Sequence, residues 1–155
     1  MGQQEKFVLE VAKIWRMHKK QELRFLAMMR LEVAPALRKL CACGHISSVL
    51  CQKEIEFLYD SARNCFDDGD LRSIYVQETN ALKYSDIKYG LQQIYGTQQE
   101  LLRYYNEYIE ENILNEDSHR ICQDHYVQLL KLDASIKKEL RSFDLQIRQA
   151  YLVVA

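Results

Sequence analysis

The sequence contains very little proline and glycine. Its 155 residues include one Pro and five Gly, so the residue types that build tight turns and interrupt helices are scarce. Hydrophobic residues make up 48% of the chain and charged residues 28%, as is usual for a globular domain. Long helices are the natural consequence, and residues 1–155 are expected to form one helical-bundle domain.

Long apolar runs are missing as well. Spanning a bilayer takes roughly 18 to 20 apolar residues, whereas Arg30 and Glu32 interrupt the most apolar stretch, residues 26–37. The first six residues lack the hydrophobic core of a secretory signal. Five cysteines without an export signal predict free thiols in a reducing compartment. A cytoplasmic location is therefore expected.

The sequence motifs of common enzymes are also absent. We find no glycine-rich phosphate loop, no Gly-x-Ser-x-Gly elbow and no His-Glu-x-x-His pair. The run Asp67-Asp68-Gly69-Asp70 has the composition of a calcium loop but lacks its ligand spacing. These absences favour a protein that is not an enzyme and has no cofactor.

A regular apolar stripe occupies the last third of the chain. Steps of four and three residues connect its members, which are Cys122, Tyr126, Leu129, Asp133, Ile136, Leu140, Phe143, Ile147, Ala150 and Val154. This spacing predicts a helix from about Glu116 to near Ala150 that lies lengthwise against other helices. Asp133 occupies a core-type position and could also begin a helix, so two helices joined there are the alternative to one continuous helix.

Helix signals precede this stripe. An uninterrupted helical pattern runs from Gln3 to about Ala34, with Phe7, Val11, Ile14, His18, Phe25 and Met29 on one row. A short helix over 36–43 is expected to close at Gly44. Ser47 or Ser48 would cap the next helix to about Phe66, and Asp70 a further one from Leu71.

The middle of the chain holds a capping box. Thr97 and Glu100 have the spacing for reciprocal bonds at a helix start, which predicts a helix to about Asn115 after a less regular section containing Gly90 and Gly96. Together these signals predict an all-α, elongated bundle of about five to seven helices, with long N- and C-terminal helices packed lengthwise.

Two surface features point to partners. Residues 1–45 hold nine Lys and Arg against four acids, and the remainder twelve against eighteen. The first helix places Lys13, Arg16, Lys20 and Arg24 opposite its apolar row, as in helices that meet acidic proteins or membranes. Tyrosines suit interfaces because a large ring is buried while its hydroxyl stays paired; the candidates for partner contact are Tyr104, Tyr105 and Tyr108.

Three groups of residues could support chemistry. Cys41, Cys43, His45 and Cys51 are weak candidates for a zinc site, because Cys-x-Cys on a helix points its thiols nearly opposite ways. Glu116 and His119 have the spacing of one half of a di-iron site, without the second half. Cys122 and His125 could pair as a thiol and a base.

The sequence therefore favours a non-enzymatic protein–protein interaction module, such as an adaptor, a regulatory protein or a subunit of a larger assembly. Its expected partners are other proteins, acidic ones included, and self-association stays open. Nucleic acid is not expected as a partner. The alternatives are a helical metal- or thiol-dependent enzyme and a peripheral membrane protein that uses the basic first helix.

Overall fold

The computed structural model describes residues 2–63, 86–110 and 116–154, which contain four α-helices and no strand. In chain order these are α1 (Gln3–Met29), α2 (Pro35–Arg63), α3 (Ile87–Glu110) and α4 (Glu116–Val154). The all-helical bundle is confirmed. The predicted number of five to seven helices is wrong for the described residues, because two of the expected breaks lie inside continuous helices.

The four helices are arranged so that each packs against two others. Helix α1 lies against α2 and α3, and α4 also lies against α3 and α2. Neighbours run antiparallel: His18 of α1 contacts Tyr105 of α3, whereas Arg24 contacts Gln93. The terminal helices α1 and α4 thus occupy opposite corners, and each packs lengthwise on α2 and α3 between them. Of the two, only α4, with 39 residues, is longer than both inner helices, since α1 has 27 residues and α2 has 29.

Helix α2 begins at Pro35 and continues through the expected break at Gly44. Proline suits a first helical turn, where its missing N–H has no helical partner; α1 ends earlier than predicted, at Met29. Gly44 is needed for close packing and not for a turn, since a Cβ atom there would overlap the ring of Phe25. Ser48 does not cap a helix; its hydroxyl donates to the Gly44 carbonyl at 2.9 Å.

Helix α3 contains the capping box that was expected to start it. The Thr97 hydroxyl donates to the Gln93 carbonyl at 3.1 Å, one turn back within the same helix. The helix follows Asp86, whose side chain accepts the Lys88 N–H at 2.8 Å and so pairs one of the free donors of the first turn. The predicted loop 67–70, the helix start at Leu71 and the residues 111–115 lie outside the described residues.

Helix α4 confirms the continuous interpretation of the heptad stripe. It runs unbroken for 39 residues, and Asp133 stays inside it at 5% exposure. Two side chains compensate its burial: Gln99 donates at 2.6 Å and Lys137 forms an ion pair at 2.9 Å. A buried carboxylate is tolerated at a core position because both oxygens have partners.

The core consists of two apolar clusters with a polar layer between them. The first cluster includes Val11, Ile14, Trp15, Ile55, Leu58, Leu101, Tyr108 and Leu129. The second, at the other end of the bundle, includes Phe25, Met28, Leu37, Cys41, Leu91, Ile94 and Ile136. The polar layer is the set of buried polar residues that fall between them along each helix, namely His18, Gln21, Ser48, Gln52, Thr97, Gln98 and Asp133.

Candidate functional site

Each of the four helices contributes one side chain to a buried cluster that we call the His–Cys–Tyr site. Helix α1 provides His18, α2 Cys51, α3 Tyr105 and α4 His125, and none of these residues is more than 2% exposed. One ligand atom from each of His18, Cys51 and His125 lies within 4.8 Å of the other two. This is the only such grouping of potential metal ligands in the described part of the chain.

Tyr105 connects the two imidazoles. Its hydroxyl lies 2.7 Å from Nε2 of His18 and 2.8 Å from Nδ1 of His125. The three rings meet edge to face, with centroids 5.6 to 6.0 Å apart. A hydroxyl has one proton, so it donates to one imidazole and accepts from the other. The arrangement fixes three rings from three helices in one place.

A carboxylate stands at the edge of this site. Oε1 of Glu54 lies 3.4 Å from Nε2 of His125, and the Glu54 side chain is 54% exposed. His125 Nε2 is buried and has no hydrogen-bond partner among the described residues, so the contact is electrostatic without good hydrogen-bond alignment. The negative charge favours a proton on Nε2, which leaves the Nδ1 lone pair facing Tyr105.

Burial keeps the ionisable groups of the site neutral. It lowers the pKa of His18 to about 3, helped by repulsion from His125. It also lowers the pKa of His125, although the Glu54 carboxylate acts in the opposite direction. The pKa of the Cys51 thiol rises to about 12, mainly through burial and then through Glu54. At neutral pH the site therefore holds two uncharged imidazoles, a phenol and a thiol.

The four weak metal candidates from the sequence do not come together. All lie on α2, where Cys41 and Cys51, ten residues apart, are separated by roughly 15 Å along the axis. Cys43 is exposed and His45 is half-buried. Cys51 does join a cluster of potential ligands, but its neighbours are His18 and His125 from other helices.

One signal for the site is present in the sequence, namely the position of His18. His18 lies on the apolar row of the first helix, so its position already placed an imidazole in the core. Tyr105 and His125 are separated from it by 87 and 107 positions, and no local spacing relates them. Only the packing of the helices brings these groups together.

The predicted thiol and di-iron candidates gain no support. Burial raises the pKa of Cys122 to about 12, so this thiol stays protonated at neutral pH and is a poor nucleophile. Glu116 is exposed and His119 half-buried at the start of α4. They lie away from the His–Cys–Tyr site along the chain, and no second pair joins them in the described residues.

The predicted partner-binding residues of α1 differ in their exposure. Lys13 and Arg16 are exposed on α1, and Lys13 pairs with Glu10 at 3.8 Å. Lys20 is half-buried, and Arg24 turns onto α3, where it donates to the Gln93 carbonyl at 3.2 Å and to the Thr97 hydroxyl.

The three tyrosines of α3 also differ in their exposure. Tyr105 and Tyr108 are buried at 0% and 5% exposure, and Tyr104 is half-buried. Tyr105 and Tyr108 are therefore core residues in this chain.

The apolar face of α1 is used inside the bundle. Val11, Ile14 and Trp15 are 1 to 5% exposed, and Trp15 donates to Glu56 of α2 at 3.2 Å. Insertion of this face into a membrane surface would require α1 to leave the core. Among the described helices, none has the length and apolar character needed to cross a bilayer.

A groove of about 600 Å³ runs between α2 and α4. Leu40 and Leu132 supply its apolar surface, and Lys39, Lys131 and Lys138 line it with positive charge. The three lysines are exposed, and none forms an ion pair with another described residue. Glu139 is the one acidic side chain among the groove residues of the described helices.

Comparisons with protein-family models, curated proteins and solved structures found no match to this chain.

Proposed function

We propose that the protein is a non-enzymatic interaction module that binds an acidic amphipathic helix of a partner protein in the groove between α2 and α4. The observation behind this proposal is the combination of an apolar floor with three exposed lysines that have no ion-pair partner among the described residues. Helix-in-groove recognition uses apolar anchors at spacings of three and four residues, and acids beside those anchors would face the lysines.

Apolar residues continue the α2 wall of the groove. Ile46 and Leu50 are 60% and 54% exposed, and they lie on the same side of α2 as Cys43 and Ser47, which line the groove. Large exposed apolar side chains next to a groove are typical of interaction surfaces. A bound helix could bury Leu40 and Leu132 in its centre and cover Ile46 and Leu50 at its edge.

Several further observations agree with a binding role. Cys41, Cys51 and Cys122 have pKa values raised to about 12, which argues against an activated thiol. The four cysteines of the described residues are free, and this supports a cytoplasmic location as part of the proposal. An adaptor or a subunit of an assembly could bind its partner through the groove alone, without an activated thiol.

The proposal is tested with a fluorescein-labelled model peptide. It carries Leu at helical i, i+3, i+4 and i+7 positions and Glu on both sides of that stripe; a second peptide has Lys in place of Glu. Fluorescence anisotropy should show binding of the acidic peptide only. The triple reversal Lys39→Glu, Lys131→Glu and Lys138→Glu should weaken binding at least about tenfold, corresponding to roughly 1.4 kcal/mol.

The matched control is the double reversal Lys13→Glu and Arg16→Glu on the exposed side of α1, which should leave the affinity unchanged. Equal binding of the acidic and basic peptides, or an equal loss in both variants, would contradict the proposal. Analytical ultracentrifugation adds a second criterion: a dimer that is lost only in the triple reversal would assign the groove to self-association instead.

A further inference from the structure

We propose that His18, Cys51 and His125 bind one divalent metal ion of the zinc class inside the bundle, with the Tyr105 hydroxyl at the fourth position. This site is separate from the groove and does not depend on the proposed partner. Two imidazoles, a thiolate and an oxygen form a mixed donor set that suits Zn²⁺ and its substitute Co²⁺.

The ligand atoms lie within about 1 Å of the separations that a tetrahedral zinc site requires. At usual zinc distances of about 2.0 to 2.3 Å, ligand atoms lie roughly 3.3 to 3.7 Å apart. Here the three ligand atoms are within 4.8 Å of one another, and the Tyr105 oxygen is 2.7 and 2.8 Å from the two imidazoles. Closing on an ion takes a movement of about 1 Å, which side-chain rotation can supply.

Glu54 provides the outer partner that metal-binding histidines usually have. A ligating imidazole commonly directs its second nitrogen at a carboxylate, which fixes the tautomer and the ring orientation. His125 has this arrangement, because Nε2 is 3.4 Å from Glu54 and Nδ1 faces the Tyr105 hydroxyl. The buried Nε2 has no aligned hydrogen bond in the described structure, and a ligated Nδ1 would draw the ring and Glu54 into a tighter contact.

The two histidines can coordinate a metal without a net loss of a proton, whereas Cys51 has to lose one. His18 and His125 are uncharged at neutral pH, so neither must lose a proton before it coordinates; His18 only exchanges its proton between its two nitrogens. Cys51 releases its thiol proton to solvent when the metal–sulfur bond forms. Binding therefore releases one proton and weakens as the pH falls.

A buried hydrogen-bonded layer without a metal is the competing explanation. Such a layer would account for Tyr105 and the two histidines, but it assigns no role to the thiol beside them or to the carboxylate outside them. A single bound metal ion accounts for all five groups: the two imidazoles, the thiol, the phenol and the carboxylate. The two explanations differ in whether the full chain binds one equivalent of metal.

The experiment is a Co²⁺ titration of the full chain under a non-thiol reductant. We expect one equivalent to produce the visible bands of tetrahedral Co²⁺ together with a thiolate charge-transfer band, and Zn²⁺ should displace it. Cys51→Ser should abolish the charge-transfer band. Glu54→Gln should weaken binding about 10- to 100-fold, the usual effect of losing an outer-shell partner.

The matched control is Cys122→Ser, which removes another buried thiol of the first cluster and should bind Co²⁺ like the unaltered chain. Glu54 is half-exposed, so its variant stays informative even if Cys51→Ser folds poorly, and Zn²⁺ should raise the melting temperature of the unaltered chain more than that of Glu54→Gln. Absence of stoichiometric binding, or a charge-transfer band that persists in Cys51→Ser, would overturn the proposal.

Discussion

The second apolar cluster and the polar layer are neighbouring parts of one bundle, built in opposite ways. In the second cluster Phe25, Met28, Ile94 and Ile136 are at most 1% exposed and fill the space with hydrocarbon. In the polar layer, Gln21 donates to the Ile94 carbonyl at 3.0 Å and to Gln98 at 2.9 Å. Both regions are equally buried, yet only one of them is held by directional bonds.

The two regions contribute differently to the fold: the apolar cluster mainly stabilises the bundle, and the polar layer fixes the register in which its helices pack. Burial of hydrocarbon stabilises a bundle in proportion to area and tolerates several registers. Hydrogen bonds between buried side chains require particular partners, because an unpaired buried group costs free energy. Gln98 illustrates this constraint, since it accepts from Gln21 and donates to the Leu129 carbonyl at 2.9 Å. It thereby ties α1, α3 and α4 into one register.

The largest expected effect concerns the apolar side of this comparison. Ile94→Ala removes a fully buried side chain from the second cluster, and the cavity it leaves should lower the free energy of unfolding by about 2–5 kcal/mol. Urea unfolding, followed through the fluorescence of the single tryptophan, Trp15, measures this change. Val127→Ala, at a position 50% exposed, is the control and should stay within about 0.5 kcal/mol. A loss below about 1 kcal/mol for Ile94→Ala would show that the second cluster is loosely packed.

The sequence predicted the parts of this fold that depend on periodicity. The heptad stripe predicts α4 because burial against neighbouring helices needs a repeating row of apolar residues, and its members from Cys122 to Phe143 are buried or half-buried. The apolar row of α1 was equally informative, and it even contained His18. Local spacing is therefore enough to predict that a segment is helical and which of its residues face the core.

Helix boundaries and the buried site could not be predicted in the same way. Gly44, Gly96 and Thr97 are local signals for helix ends, yet all three lie inside helices. Gly44 serves the approach of Phe25, which lies on another helix, and Thr97 bonds within its own helix. Tertiary packing thus overrides local propensity at Gly44.

The second prediction concerns the polar side of the comparison. Burial lowers the pKa of His18 to about 3 and that of His125 in the same direction, so protons bind more tightly to the unfolded chain. The stabilising contribution of both is complete above pH 6.5 and is lost as the pH falls below that value; for His18 the loss continues towards pH 3. His18 should lower the free energy of unfolding by about 1 kcal/mol per pH unit in this range, and His125 should add to the loss in the same direction.

Urea unfolding between pH 7 and 5 checks this slope while most carboxylates remain ionised. His18→Gln should make the slope shallower, because one of the two buried imidazoles is gone. Ile94→Ala is the matched variant from the second cluster, and it should shift the whole curve down without changing its slope. An unchanged slope in His18→Gln would mean that the buried imidazoles do not govern acid sensitivity.

The smallest expected effect compares two helical glycines. Gly44 contacts Phe25 so closely that an added Cβ atom would overlap the ring, whereas a Cβ atom on Gly96 would meet nothing within 4 Å. Alanine favours a helix over glycine by about 1 kcal/mol, so Gly96→Ala should stabilise the protein by up to that amount. At Gly44 the overlap should outweigh the same gain, since crowding a packed core costs about 1–3 kcal/mol.

Whether Gly44→Ala raises or lowers the free energy of unfolding should depend on the ring of Phe25. In the unaltered chain, Gly44→Ala should lower the free energy of unfolding by about 1 kcal/mol, the difference between the crowding cost and the helix gain. In a Phe25→Leu background the ring is gone, so the same substitution should become neutral or stabilising. Thermal and urea unfolding of the four chains complete the double-mutant cycle. A cost that persists without the ring would show that α1 and α2 are too close for any side chain at position 44, whichever residue stands at position 25.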